Sequence, residues 1–318
     1  MQVSASLPVA RLDRPDEFLT GDAIAEIAAA AERAGFDSIA VSEHPFPDDD
    51  WLRRGNGHHN FDPFVALSFA AAATRRIKLQ TSLLVLPYRN PFITARSVAS
   101  LDALSGGRVI LGVGTGYLEA EFRALGVAFE DRNALTDEAI VAMRRAWTED
   151  GVHMQGRHFL ASGHTMLPRP AQAGGPPIWM GGNSRQAIRR AVELGDGWAP
   201  MAYAGNAVSR RTADLGSLDD LHARIAFAAQ HAGKVGRTAP LGLQFQLLAL
   251  PLPTSQPGLA GLVEAAEMLG EVGVTRTSVA CDATTRRSYI ADLERLGEEL
   301  LPRLHAIAER GVTPAPAE

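Results

Sequence analysis

The chain has 318 residues, 46% of them hydrophobic, a formal net charge of −5 and a single cysteine. Acidic and basic residues are mixed along its length, so it offers no basic stripe for nucleic acid, and Cys281 alone can build neither an intrachain disulfide nor a cysteine-based metal cluster. No apolar run is long enough to span a bilayer and no basic leader precedes Val3, so the sequence predicts a single cytoplasmic domain over 1–318 whose partners are small molecules, not membranes.

In chain order, residues 3–10 read as a strand, and Ile24, Ile27, Ala28 and Ala31 recur at helical spacing before Gly35. Residues 36–42 form the next strand, which delivers Glu43 and His44 before Pro45 and Pro47 stop it. A long polar loop follows, with Trp51, Arg53, Arg54, His58 and His59. It ends where Asp62 and Pro63 supply the N-cap and first position of a helix over 64–73. Residues 77–86 are the third strand, and Asn90-Pro91 repeats the cap-and-proline signal for a helix that runs to Gly106-Gly107.

The fourth strand, Arg108-Val-Ile-Leu-Gly-Val-Gly-Thr-Gly-Tyr117, is apolar at first and then stripped of side chains at Gly112, Gly114 and Gly116, which predicts that something approaches this backbone closely. It is not a dinucleotide fingerprint, because Tyr117 stands at the third glycine position. After a helix over 136–148, residues 152–172 read as an inserted loop or hairpin. A fifth strand, 178–180, runs into Gly181-Gly182-Asn183-Ser184 and a helix over 186–194. The remaining pattern is strand 196–201, helix 218–232, strand 241–250, helix 262–272, strand 275–281 and a last helix over 285–309, with a frayed tail at 314–316. Eight apolar strands alternating with helices predict an α/β fold, a (β/α)8 barrel with an insertion before strand five. A doubly wound open sheet is the alternative. In the barrel, the strand C-terminal ends share one rim: Glu43-His44, 82–86, 114–117, 181–184 and Met201.

Two stretches on that rim can carry chemistry. The bare amides of Gly181-Gly182-Asn183-Ser184 at a helix N-terminus suit an anion, unless Asn183 or Ser184 simply caps the helix. His44 suits proton transfer near neutral pH, unless it only bonds a neighbouring carbonyl. His58 and His59 are adjacent and project differently, so no metal site is expected there. Hydrolase, kinase and zinc signatures are absent from the sequence.

Phe61-Asp62-Pro63-Phe64, Leu84 to Pro91, Leu101 to Arg108, Leu111 to Gly116 with Glu121-Phe122, Pro177 to Gly182 and Gly195 to Trp198 together resemble the bacterial luciferase-like superfamily, and within it the oxidoreductases that use the deazaflavin coenzyme F420. The resemblance covers nearly the whole chain. It implies a deazaflavin in the rim pocket, with His44 at its reactive face beside Glu43. Ser82-Leu83 stands where relatives hold a non-prolyl cis peptide, and Gly181, Gly182 and Asn183 stand at the phosphate loop. Gly114, Gly116 and Met180 also count among the expected cofactor contacts, and Tyr117 joins His44 as a catalytic candidate. Sugar-phosphate dehydrogenases of the family have a glutamate where this chain has Tyr117, so their substrate is not carried over. The expected activity is F420-dependent hydride transfer to or from a small organic substrate by a homodimer. The alternatives are an FMN-dependent monooxygenase and a non-catalytic cofactor-binding barrel.

Overall fold

The computed structural model describes residues 1–53, 57–202, 213–247, 249–250, 252, 254 and 258–315. Its elements in chain order are β1 (Gln2–Ser6), α1 (Pro15–Phe18), α2 (Gly21–Ala34), β2 (Ser38–Val41), α3 (Asp49–Arg53), α4 (Pro63–Ala73), β3 (Lys78–Val85), α5 (Pro91–Ser105), β4 (Val109–Gly114), α6 (Glu119–Ala124), α7 (Arg132–Thr148), β5 (Val152–Gln155), β6 (Leu160–His164), β7 (Ile178–Gly181), α8 (Arg185–Leu194), β8 (Gly197–Ala199), α9 (Leu218–Lys234), β9 (Gly242–Leu243), α10 (Gly258–Glu271), β10 (Arg276–Ser278), α11 (Arg286–Glu299) and α12 (Leu301–His305). Arg54 and Leu248, and the end of the tail at Pro316, lie outside the described residues.

The caps read from the sequence are made. Asp62 Oδ1 accepts from the Phe64 and Val65 amides at 2.9 and 3.1 Å, and Asn90 Oδ1 accepts from Phe92 at 2.9 Å. Most strands are shorter than their apolar runs, and three elements differ further. The first strand stops at Ser6, ahead of Pro8, which has no N–H for a ladder. The seventh is regular only over β9, although Gln244 still bridges to Arg276 and the Phe245 amide donates to Arg276 O at 2.9 Å. The last helix breaks after Glu299, and a new one begins with a proline in its first turn.

The chain divides into two compact units. One comprises Met1–Leu7, Glu26–Ile39 and Ile178–Glu318. In it β7, β8 and β9 pair in parallel, as do β10 and β1, with the Gln244 bridge linking the two sets. Trp179 governs its glycines: a Cβ on Gly197 would lie 2.4 Å from the indole Cδ2, and one on Gly242 would lie 2.8 Å from Cη2. The indole of Trp198 is fully buried and donates to Gly182 O at 2.9 Å.

The other unit comprises Pro8–Ala25 and Ala40–Pro177. Here β3 and β4 pair in parallel, with a register shift between Thr81 and Leu84, and β5 and β6 form the expected hairpin. The Leu101 to Arg108 motif is structural. Buried Asp102 accepts from the Val109 amide at 3.2 Å and from the Gln172 amide at 2.9 Å, while buried Arg108 donates to carbonyls at the ends of two helices, Ala71 at 2.9 Å and Ser105 at 2.8 Å. No helix among the described residues is long and apolar enough to cross a membrane.

Candidate active site

In the unit that holds β3 and β4, the chain leaves β2 into Glu43 and His44, two neighbours with different partners. Glu43 is buried. Its Oε2 accepts from the Val85 amide at 2.7 Å, and its Oε1 accepts from Arg89 Nε and Nη2 at 2.9 and 2.6 Å. Arg89 also donates to Asp62 at 2.7 Å and lies over the Phe64 ring. Burial raises the Glu43 carboxyl above its usual range, against the pull of Arg89. Burial would lower the Arg89 guanidinium, but Glu43 and Asp62 outweigh it and raise it. Glu43 therefore clamps the end of β3, with both carboxylate oxygens engaged inside the protein.

His44, 9% exposed, is held from three sides. Its Nδ1 is 3.2 Å from Glu121 Oε2 and its Nε2 is 3.3 Å from the Tyr117 hydroxyl. The rings of Trp51 and His58 stand 4.4 and 4.9 Å from its centroid. Glu121, on α6, is fully buried; its Oε1 accepts from the Phe46 amide at 3.1 Å and its Oε2 from the Tyr88 hydroxyl at 3.0 Å. Burial first, and then the Glu121 charge, push the Tyr88 phenol above its ordinary range, so it stays protonated and donates.

The Ser82-Leu83 peptide is cis, at the register shift of β3. The close approach expected at the alternate glycines is made by this neighbouring strand. A Cβ on Gly112 would meet Thr81 O at 2.1 Å, one on Gly114 would meet Leu83 Cδ1 at 3.4 Å, and one on Gly116, whose φ is +75°, would meet Val85 Cγ1 at 2.6 Å. His44, Tyr117, Glu43, Ser82, Leu83, Gly114 and Gly116 thus all belong to this unit.

The glycine loop belongs to the other unit. Gly182 adopts φ +107°, and Ser184 caps α8 by accepting from the Ala187 amide at 3.1 Å. Asn183 is 1% exposed, and its side chain is committed: Oδ1 accepts from the Met201 amide at 2.9 Å, and Nδ2 donates to Met201 O at 2.7 Å and Ala213 O at 2.9 Å. Its amide side chain is therefore a brace inside the unit. Met180 is fully buried, with Cγ packed toward Gly195, so its side chain belongs to the core.

Glu121, Tyr88, Arg89 and Trp51 were not singled out as site residues from the sequence. For Glu121 a signal existed: Leu118, Glu121, Phe122 and Leu125 follow the spacing of an apolar helical stripe, so the acid occupies an inward position.

The profile of the family described as luciferase-like monooxygenase matches residues 2–235. The chain belongs to the luciferase-like monooxygenase family. Among curated relatives of this family member, an FMNH(2)-dependent dimethylsulfone monooxygenase of Pseudomonas putida is 32% identical over 67% of this chain and 56% of the relative. An F420-dependent glucose-6-phosphate dehydrogenase of Intrasporangium calvum is 37% identical over 53% of this chain and 50% of the relative. The chain spans about half the length of these two. The F420-dependent glucose-6-phosphate dehydrogenase of Beutenbergia cavernae is 34% identical over 87% of this chain and 91% of its own.

Among solved structures, a monooxygenase of Streptomyces bottropensis superposes with a TM-score of 0.76 at 20% identity, covering 95% of this chain and 99% of that one. The coenzyme F420-dependent tetrahydromethanopterin reductase of Methanopyrus kandleri gives 0.70 at 17% identity, over 95% of this chain and 99% of that one. These likenesses show the fold of this luciferase-like protein, the (β/α)8 barrel that the strand and helix alternation predicts.

Proposed function

We propose that this protein is an F420-dependent oxidoreductase that moves a hydride between the deazaflavin and a small organic substrate. The observation that carries the reading is His44, with Tyr117 at one ring nitrogen and the buried carboxylate of Glu121 at the other. An imidazole held in this way is suited to giving or taking one proton at a fixed place beside a hydride acceptor or donor. The full-length relative from Beutenbergia cavernae, named as F420-dependent, supports the choice of cofactor.

Two features, each described within its own unit, suit parts of such a group. Gly182 at φ +107° leaves bare backbone ahead of the ten-residue helix α8, a donor set suited to a phosphate. The same chemistry leaves Asn183 to act through its backbone alone. Beside His44, the indole of Trp51 supplies a flat surface of the kind a planar ring stacks on. The deazaflavin, once bound, would supply or accept the hydride. His44 then exchanges the proton, Tyr117 holds a hydroxyl at Nε2, and Glu43 with Arg89 keeps the end of β3 in place.

The FMNH(2)-dependent relative from Pseudomonas putida supports a second reading, an FMN-dependent monooxygenase of the same family. Titration of the purified chain with F420 and, separately, FMN decides between them. Binding of F420 at least about tenfold tighter than FMN is expected. Tight FMN binding with no F420 binding overturns the proposal.

A further inference from the structure

We propose that Glu121 is a positioning residue that sets the tautomer of His44, placing the ring proton on Nδ1 and leaving Nε2, on the Tyr117 side, as the atom that exchanges a proton with substrate. The inference deepens the reading above by naming the working atom, and it holds or fails on the cofactor-free protein whichever flavin is used.

The argument starts from what each neighbour can do. The Phe46 backbone N–H can only donate, and it points at Oε1 of Glu121 at 3.1 Å. The other oxygen, Oε2, lies 3.0 Å from the Tyr88 hydroxyl and 3.2 Å from His44 Nδ1. A fully buried carboxylate with a backbone amide and a phenol directed at it is an acceptor on both oxygens. Nδ1 must therefore carry a hydrogen, and in the neutral ring Nε2 holds the lone pair, 3.3 Å from a tyrosine hydroxyl that can donate to it.

Turning the ring over would put Cδ2 and Cε1 where Nδ1 and Nε2 stand, losing both contacts, and would have to displace Trp51 and His58, whose centroids lie 4.4 and 4.9 Å away. Among the described residues, the titratable groups facing the imidazole are Glu121 from α6, Tyr117 from the loop after β4 and His58 from the loop after α3. Tyr88 acts only through Glu121, and Glu43 is turned away to Arg89 and Val85.

Glu121→Gln tests the assignment with an almost isosteric change. The Phe46 amide requires the glutamine oxygen at the Oε1 position, which puts the glutamine NH2 where Oε2 stood. That group donates, so Nδ1 must become the acceptor and the ring proton must move to Nε2. The tyrosine hydroxyls of Tyr88 and Tyr117 can rotate to accept instead. The readout is ring 15N chemical shifts of histidine-labelled, cofactor-free protein, with the His44 signals assigned by their loss in His44→Gln.

The wild type is expected to show a protonated Nδ1 and a bare Nε2, and Glu121→Gln the reverse, a tautomer ratio changed at least about tenfold. A wild-type ring protonated on Nε2 overturns the proposal, as does a natively folded Glu121→Gln whose pattern is unchanged. If the variant does not fold, the wild-type spectrum alone decides. A purely packing role for Glu121 leaves the 15N pattern of a folded variant as it was.

Discussion

The side chain of Asn183 pairs with the backbone of Met201 as one strand pairs with another, accepting from its N–H at 2.9 Å and donating to its C=O at 2.7 Å. The second Nδ2 hydrogen goes to Ala213 O at 2.9 Å, and Arg224 Nη1 donates to the Asn183 carbonyl at 2.9 Å. One buried amide therefore ties together backbone from positions 201 and 213.

Asn183→Ala removes the side-chain bonds to those three backbone groups and is expected to lower stability by about 2–3 kcal/mol in denaturant titration. Asn183→Asp is expected to be similarly harmful, because a carboxylate cannot donate to Met201 O and Ala213 O. Ser184→Ala, which removes only the cap of α8, is expected to cost about 1 kcal/mol. Equal losses at both positions would count against the brace.

Glu43→Ala strips Arg89 and the Val85 amide of their buried acceptor. A loss of about 3 kcal/mol is expected, measured by urea unfolding, with Arg89→Ala giving a similar value. A double variant that loses much less than the sum of the two is the signature of a pair acting as one.

His44→Ala is expected to reduce turnover about 10²–10⁴-fold while leaving cofactor affinity within a few-fold, read by steady-state kinetics and by cofactor titration. Parallel losses in both would make His44 a binding residue only.

In the unit that holds β10, burial pushes the Cys281 thiol up to about 12 and raises the Tyr289 phenol as well. The folded chain keeps these groups protonated at pH values where the unfolded chain ionises them. Their contribution is therefore complete below the ordinary thiol range, about 8.5, and is lost as pH climbs toward 12. The denaturation midpoint is expected to fall steeply above about pH 9, and Cys281→Ser is expected to flatten the first part of that slope. At pH 8 the thiol is expected to react with iodoacetamide more slowly than free cysteine.

Gly197→Ala directs a methyl group to 2.4 Å from the Trp179 indole. An overpacking loss of about 1–3 kcal/mol is expected in thermal or chemical unfolding.

Much of this was legible in the residues. The apolar runs that become β1 to β4 and the Asp62-Pro63 and Asn90-Pro91 caps give the alternation directly, because caps and buried strands are local properties. A cap at Asn183 or Ser184 was legible in the same way, and the structure gives it to Ser184. What was not legible depended on distant partners. The commitment of Asn183 to Met201 and Ala213, and of Glu43 to Arg89, joins residues 18 to 46 positions apart. The alternate glycines predicted a close neighbour but not which one, since only the pairing of β4 with β3 shows that Thr81, Leu83 and Val85 fill that space. Glu121 was hidden by its setting, Leu-Glu-Ala-Glu-Phe-Arg, whose charges suggest a solvated turn although one of them lies on the apolar stripe.

His44 is gripped on one edge by an acid rooted in α6 and meets Tyr117 on the other, through its hydroxyl and the edge of its ring. The anchor and the variable contact are therefore separate parts. A substitution at 117 leaves the Glu121 anchor of the imidazole in place, so substrate preference can be retuned in this scaffold one side chain at a time.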